Sequence, residues 1–296
     1  DIQIEDNFIE GASECINLGG GTQWMGTQNY IHNVHIRGNY LFRRAAWMTS
    51  TTGVNGGSTV YGQVKNFFEI KCGRYVVFED NYMEHHNAAG QQNDIVLKVS
   101  PYSSAEVAYL RTQDITIRNN YGTASCGGAC EVSSGDDHPP LPSTALPVER
   151  IEIRNNAFVN PRTNTNNTKR HMIGGKSDLS HRLANVGFNH NWFSLNAEVC
   201  LFTPTPALCL PGFVFTNNIN ATANTYQLVG SAGAGNNDAA LNAYCGNRTT
   251  SPDNGPSTWI VAKNCAVHAA GATHLYGATL PTAPHANLTA LSVGTP

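Results

Sequence analysis

The sequence predicts an all-β fold, a right-handed parallel β-helix (solenoid) of about eight rungs, on three observations. One six-residue pattern recurs along the chain: apolar, any, apolar, any, any, Asn. Its apolar positions alternate, as a strand with one buried face requires. Every copy closes on the same residue type at the same place, which the hairpins of a sandwich or the blades of a propeller would not produce.

The copies read IQIEDN at 2–7, VHIRGN at 34–39, VVFEDN at 76–81, ITIRNN at 115–120, IEIRNN at 151–156, VGFNHN at 186–191 and FVFTNN at 213–218, with a weaker WIVAKN at 259–264. The closing Asn tolerates the left-handed backbone of a sharp corner. Stacked on its equivalents, its amide is also expected to form a ladder of side-chain hydrogen bonds. The ladder residues are Asn7, Asn39, Asn81, Asn120, Asn156, Asn191, Asn218 and Asn264, spaced by 32, 42, 39, 36, 35, 27 and 46. A bare rung of short strands and tight turns needs roughly 20–27 residues, so the excess is loop.

A second strand follows most copies, as CINLGG at 15–20, DIVLKV at 94–99, CEVSS at 130–134, HMIGG at 171–175, VCLFT at 199–203 and YQLVG at 226–230. The long insertions mostly leave after it, at 19–31, 100–112, 133–148, 175–183, 203–211 and 230–257. In register, they stack along one edge and wall a groove. The 296 residues read as a single parallel β-helix domain, 1–296, with core rungs to about residue 270 and an irregular tail over 271–296. Asp1 already lies in a strand pattern with no capping helix. The expectation is a mature or trimmed chain, with N-terminal rungs or a cap missing or another subunit covering that end.

Charged residues make up 13% and the formal net charge is −3, with no basic stripe, which argues against a nucleic-acid partner. No apolar run approaches the roughly 20 residues of a membrane span. The eight cysteines, Cys15, Cys72, Cys126, Cys130, Cys200, Cys209, Cys245 and Cys265, are even in number and lack the clustered spacing of a zinc site. The expected pairs are Cys126–Cys130, Cys200–Cys209 and Cys245–Cys265, which close local loops, and Cys15–Cys72 between early rungs. Asn166, Asn220, Asn247 and Asn287 each have Thr two positions on, as glycosylation acceptors do. Disulfides and sequons together lead us to expect a secreted or extracellular glycoprotein.

The Asn-ended strands resemble the pectate-lyase-like superfamily of right-handed parallel β-helices. In the order of its segments the chain is similar to a group of secreted bacterial β-helix repeat proteins. The segments are FIEGASECINLGGG, VHIRGNYLFRRAAW, VKNFFEIKCGRYVVFEDNYME, DITIRNN and SGDDHPP, and the likeness covers roughly residues 1–240. It implies the fold and secretion and little about the reaction; the superfamily's enzymes are mostly polysaccharide lyases and hydrolases acting on uronic-acid polymers. Of the polygalacturonase motifs the chain carries only the paired carboxylates, Asp136-Asp137, with His138 beside them. The R-x-P-x-x-R of pectate lyases and the Q-rich motif of pectin methylesterases are absent.

The candidate site is the loop SSGDDHPPLP at 133–142 with its neighbours on adjacent rungs. Lys98 and Arg111 come from the rung before, and His171, Lys176, Asp178 and His181 from the rung after. Rungs stack at about 4.8 Å, which brings these groups within side-chain reach of one another. Asp136 and Asp137 could serve as general acid and base on a glycosidic bond, or hold a Ca²⁺ that neutralises a uronate. In the second case Lys98 or Lys176 would abstract the proton α to the carboxylate, and Arg111, Asp178, His171 and His181 would bind substrate. The plainer alternative is that D-D-H-P-P is a turn. His85-His86 could be a metal pair, although neighbours on a strand face opposite ways. Tyr30, Tyr40, Trp47, Tyr61 and Tyr102 could stack on sugars or simply pack. Arg43-Arg44 reads first as a solvated turn, and second as a grip on an acidic polymer.

Three functions compete. One is a polysaccharide lyase or hydrolase. The second is a non-catalytic structural or adhesive protein that stacks head to tail into filaments through its open first rung. The third is a carbohydrate-binding module.

Overall fold

In a computed structural model the described residues are 1–11, 14–19, 31–44, 65–85, 94–98, 111–123, 130–133, 148–159, 171–174, 183–193, 198–202, 214–216, 219–220 and 260–261. They form strands and no helix. The chain visits three parallel sheets in turn and then repeats the circuit, an arrangement consistent with a β-solenoid. The first sheet holds β1 (Ile2–Glu5), β4 (His32–Arg37), β7 (Gly73–Glu79), β10 (Thr112–Arg118), β13 (Val148–Arg154), β16 (Leu183–Asn189), β19 (Val214–Thr216) and β21 (Ile260–Val261). The second holds β2 (Phe8–Glu10), β5 (Tyr40–Phe42), β8 (Tyr82–Glu84), β11 (Tyr121–Thr123), β14 (Ala157–Val159), β17 (Trp192–Phe193) and β20 (Ile219–Asn220). The third holds β3 (Ile16–Leu18), β6 (Phe68–Ile70), β9 (Ile95–Leu97), β12 (Cys130–Ser133), β15 (His171–Gly174) and β18 (Glu198–Phe202).

The repeating pattern sets the register. Its two apolar positions fall level on successive strands of the first sheet, as Val34, Val76, Ile115, Ile151 and Val186, and as Ile36, Phe78, Ile117, Ile153 and Phe188. All ten are buried. Leu41, Met83 and Phe158 enter the same core from the second sheet, and Phe68, Ile70, Ile95, Leu97, Cys130 and Val132 from the third. Phe68 and Phe78 stack across it, with centroids 4.4 Å apart.

The asparagines meet in series. Asn39 Nδ2 donates to Asn81 Oδ1 at 3.0 Å, Asn81 to Asn120 at 3.1 Å, Asn120 to Asn156 at 2.9 Å and Asn156 to Asn191 at 3.0 Å. Each Nδ2 gives its other hydrogen to a strand carbonyl on the preceding turn, as Asn120 does to Phe78 at 3.0 Å. Asn39, Asn81, Asn120, Asn156 and Asn191 are buried. A buried amide with every donor and acceptor used carries no desolvation penalty. Asn218 and Asn264 lie outside the described residues.

The left-handed corner expected at these asparagines sits one residue earlier. Asp6, Asp80, Asn119, Asn155 and His190 have φ of 54–57°, and Gly38 has 66°. The asparagine spends its side chain on hydrogen bonds, and the residue before it turns the backbone. Asp, Asn, His and Gly are the types that adopt this conformation at least expense. A second left-handed column, Asn33, Tyr75, Asp114, Arg150 and Asn185, lies nearer the start of the first-sheet strands, with φ of 53–57°.

Three of the eight cysteines have described side chains. Cys15, Cys72 and Cys130 are free thiols. Ile16 is level with Phe68 and Leu18 with Ile70, so Cys15 stands at the opening end of the third sheet and Cys72 beyond its closing end. The Cys72 N–H donates to Leu18 O at 3.2 Å, three residues along from Cys15, so roughly 10 Å of strand separates the two levels, beyond a disulfide's Cα reach. Cys130 is level with Ile95 and points into the core, and Cys126 lies outside the described residues.

Candidate functional site

The closing edge of the third sheet is where the sequence predicts chemistry. Ile95 and Leu97 face the core, so alternation turns Val96 and Lys98 outward. The Lys98 N–H donates to Ile70 O at 2.9 Å, which sets Lys98 level with Lys71. Val132 pairs with Leu97, and Ser133 with Gly174. Lys98, Ser133 and Gly174 therefore form one line. The segments carrying Asp136, Asp137 and His138, and Lys176 and Asp178, follow directly from Ser133 and Gly174. Those five residues and His181 lie outside the described residues. His171 opens β15, described in its backbone only. Thr112 Oγ1 donates to Lys98 O at 2.7 Å, which ties the first residue of β10 to the residue after β9. Arg111 is partly buried, and its carbonyl accepts the Gly73 N–H at 2.5 Å.

Lys98 is 5% exposed, and its Nζ lies 3.1 Å from Glu69 Oε1. Glu69 faces outward on β6 yet is fully buried. Its other oxygen is 3.3 Å from Lys71 Nζ and 3.9 Å from Lys65 Nζ. Lys65 Nζ donates to Glu14 Oε1 at 2.6 Å. Burial is the largest single influence and works against the Glu14 charge, but the hydrogen bonds with Lys65 and Glu69 and the charges of Lys65 and Lys71 together outweigh it and hold the carboxyl below its ordinary value. Three ammonium groups and two carboxylates thus share the outer face of this sheet. Glu69, Lys65, Lys71 and Glu14 were not anticipated from the sequence. The signal was a glutamate at the middle position of an apolar strand, FFEIK, flanked by lysines.

Arg43 corrects the reading of Arg43-Arg44 as a solvated turn. It is fully buried, with Nε donating to Gly11 O at 3.1 Å and Nη2 to Asn66 O at 2.5 Å, and its guanidinium lies 4.2 Å over the Phe67 ring. A neutral turn would leave those carbonyls without donors, so the arginine ties the second sheet to the third. His85 Nδ1 donates to Arg43 O at 2.7 Å, and His86 lies outside the described residues. Among the described residues no group of three or more His, Cys, Asp or Glu is placed to hold a metal. The Ca²⁺ expectation falls on Asp136 and Asp137, outside them.

Tyr40 packs rather than presenting a face to sugar. It is 4% exposed, 5.3 Å from Phe8 and 5.0 Å from Tyr82, and Tyr82 stacks on Tyr121 at 5.5 Å. Burial, and the bond its hydroxyl gives to Glu84, push the Tyr40 phenol above its ordinary value. Tyr30, Trp47, Tyr61 and Tyr102 lie outside the described residues. So do Cys126, Cys209, Cys245, Cys265, Asn166, Asn247 and Asn287. Cys200 and Asn220 sit in β18 and β20, described in backbone only.

Among the described residues no helix is long and apolar enough to cross a membrane. No family model, no curated protein and no solved structure matches the chain.

Proposed function

We propose that the chain is a secreted right-handed parallel β-helix of about eight rungs that acts on extracellular, uronic-acid-containing polysaccharide at the closing edge of its third sheet. The observation that carries this reading is the level alignment of Lys98, Ser133 and Gly174. It supports the convergence of Lys98 with Asp136, Asp137, His138, Lys176 and Asp178, which begin a few residues further along the chain. Two carboxylates on a glycosidic bond give hydrolysis. A lysine removing the proton α to the uronate carboxylate gives elimination. Incubation with polygalacturonate and alginate, read as new reducing ends and as absorbance of an unsaturated product, tests it. Asp137→Asn is expected to abolish turnover and leave the melting temperature unchanged. An inactive parent chain, or an equally active variant, contradicts it.

A further inference from the structure

The two left-handed columns of the first sheet differ in composition. The corner column uses only Asp, Gly, Asn and His. The other places Tyr75 and Arg150 among Asn33, Asp114 and Asn185. A bulky residue at positive φ is an outlier that the fold alone does not ask for, because Asn serves at two sites of the same column. Tyr75 is 48% exposed and is the only exposed large aromatic among the described residues. The Arg74 guanidinium lies 4.4 Å over its ring and holds it in place.

We propose that this column is a binding strip for a neutral, extended glycan, with Tyr75 as its stacking platform and Asp114 and Arg150 as its hydroxyl partners. Successive members are level with one another on adjacent strands, about 4.8 Å apart. That spacing is close to the advance of one pyranose in an extended chain. An aromatic ring meets the C–H face of a sugar, and a planar carboxylate or guanidinium meets paired hydroxyls. Asp114 accepts from Arg74 Nε at 2.5 Å and from Arg150 Nε at 2.5 Å, so its oxygens are fixed before any ligand arrives. Arg150 also bonds Glu149. Two arginines and two carboxylates cancel, which leaves no field to draw a polyanion and favours a neutral polymer. This strip is independent of the cleavage proposed at the third sheet.

The test is calorimetric titration of the full chain with cellohexaose, mannohexaose and hexagalacturonate. Binding of at least one neutral hexasaccharide is expected, and Tyr75→Asn should weaken it about tenfold. The variant's melting temperature should be unchanged or raised, since Asn accepts the backbone that strains Tyr. Asp137→Asn should leave this binding as in the parent, so failure of the cleavage reading and failure of this one are told apart. No binding of either neutral sugar, equal binding by Tyr75→Asn, or tighter binding of hexagalacturonate at Tyr75 would each overturn the proposal. So would a lower melting temperature with affinity retained, which would make the ring a packing element.

Discussion

The Oδ1 of Asn120 accepts two hydrogen bonds from Asn81, one from its backbone N–H at 3.0 Å and one from its side-chain amide at 3.1 Å. The Nδ2 of Asn120 in turn donates to Phe78 O and to Asn156 Oδ1. Asn120→Leu removes all four in a buried place and strands polar groups on both neighbours. A loss of about 1–3 kcal/mol is expected, measured by urea denaturation. A loss below about 0.5 kcal/mol, the size of an ordinary surface change, would mean that the asparagines do not hold the strands together.

Glu69 is buried among three lysines, with Lys98 the most deeply paired. Glu69→Ala leaves that ammonium without its carboxylate, and removing one partner of a buried pair costs about 3–5 kcal/mol. Combining Glu69→Leu with Lys98→Met removes both charges and should recover most of the loss. Chemical denaturation of the single and double variants checks this, and additive losses would show that the two are not coupled.

Hydrogen bonds from Arg150, and then Arg74, outweigh the effect of burial and bring the Asp114 carboxyl from an ordinary 3.8 down to about 2. A carboxyl depressed by folding contributes stability above its unfolded value and loses it as pH falls through its folded value. The contribution is therefore full above about pH 4 and disappears toward pH 2. Melting temperature against pH should fall less steeply across this window in Asp114→Asn than in the parent. Parallel curves would remove the carboxyl from the account.

Gly122 sits on β11 where the strand's inner face meets Phe158. A Cβ there would lie 2.7 Å from the Phe158 Cδ1 and 3.2 Å from its Cε1. Gly122→Ala should therefore destabilise by about 1–3 kcal/mol, the usual penalty of overpacking. A thermal melt of the variant tests it, and an unchanged midpoint would show that the ring has room to move.

The first sheet was legible because alternation and a closing Asn are local. Each inward pair, such as Ile115 and Ile117, declares its face within one strand. The second sheet has no such local signal, because three residues such as Tyr40–Phe42 carry no periodicity of their own. Its trace was the aromatic directly after the Asn, at Phe8, Tyr40, Tyr82, Tyr121 and Trp192. The pattern points to a left-handed position one residue too late because Asn suits both tasks, turning a corner and bonding sideways. Its neighbour is visible as Asp, Gly, Asn or His in every copy before the eighth. Of the candidate site, the third-sheet strands that carry it were legible. The Glu69 cluster was not, since its members come from three separate segments and only stacking brings them together.

The stacking itself has a direct measure. Gln3 and Glu152 both face outward on the first sheet, 149 residues apart in sequence, and are joined level by level through His35, Val77 and Thr116. Four strand spacings of about 4.8 Å put their Cα atoms about 19 Å apart. Nitroxides attached through p-acetylphenylalanine at these two positions leave the native cysteines untouched, and pulsed electron-spin resonance reads the distance. A single narrow distribution near that value, widened by the label arms, is the result this account predicts. A broad distribution centred beyond about 35 Å, well outside four strand spacings, would contradict it.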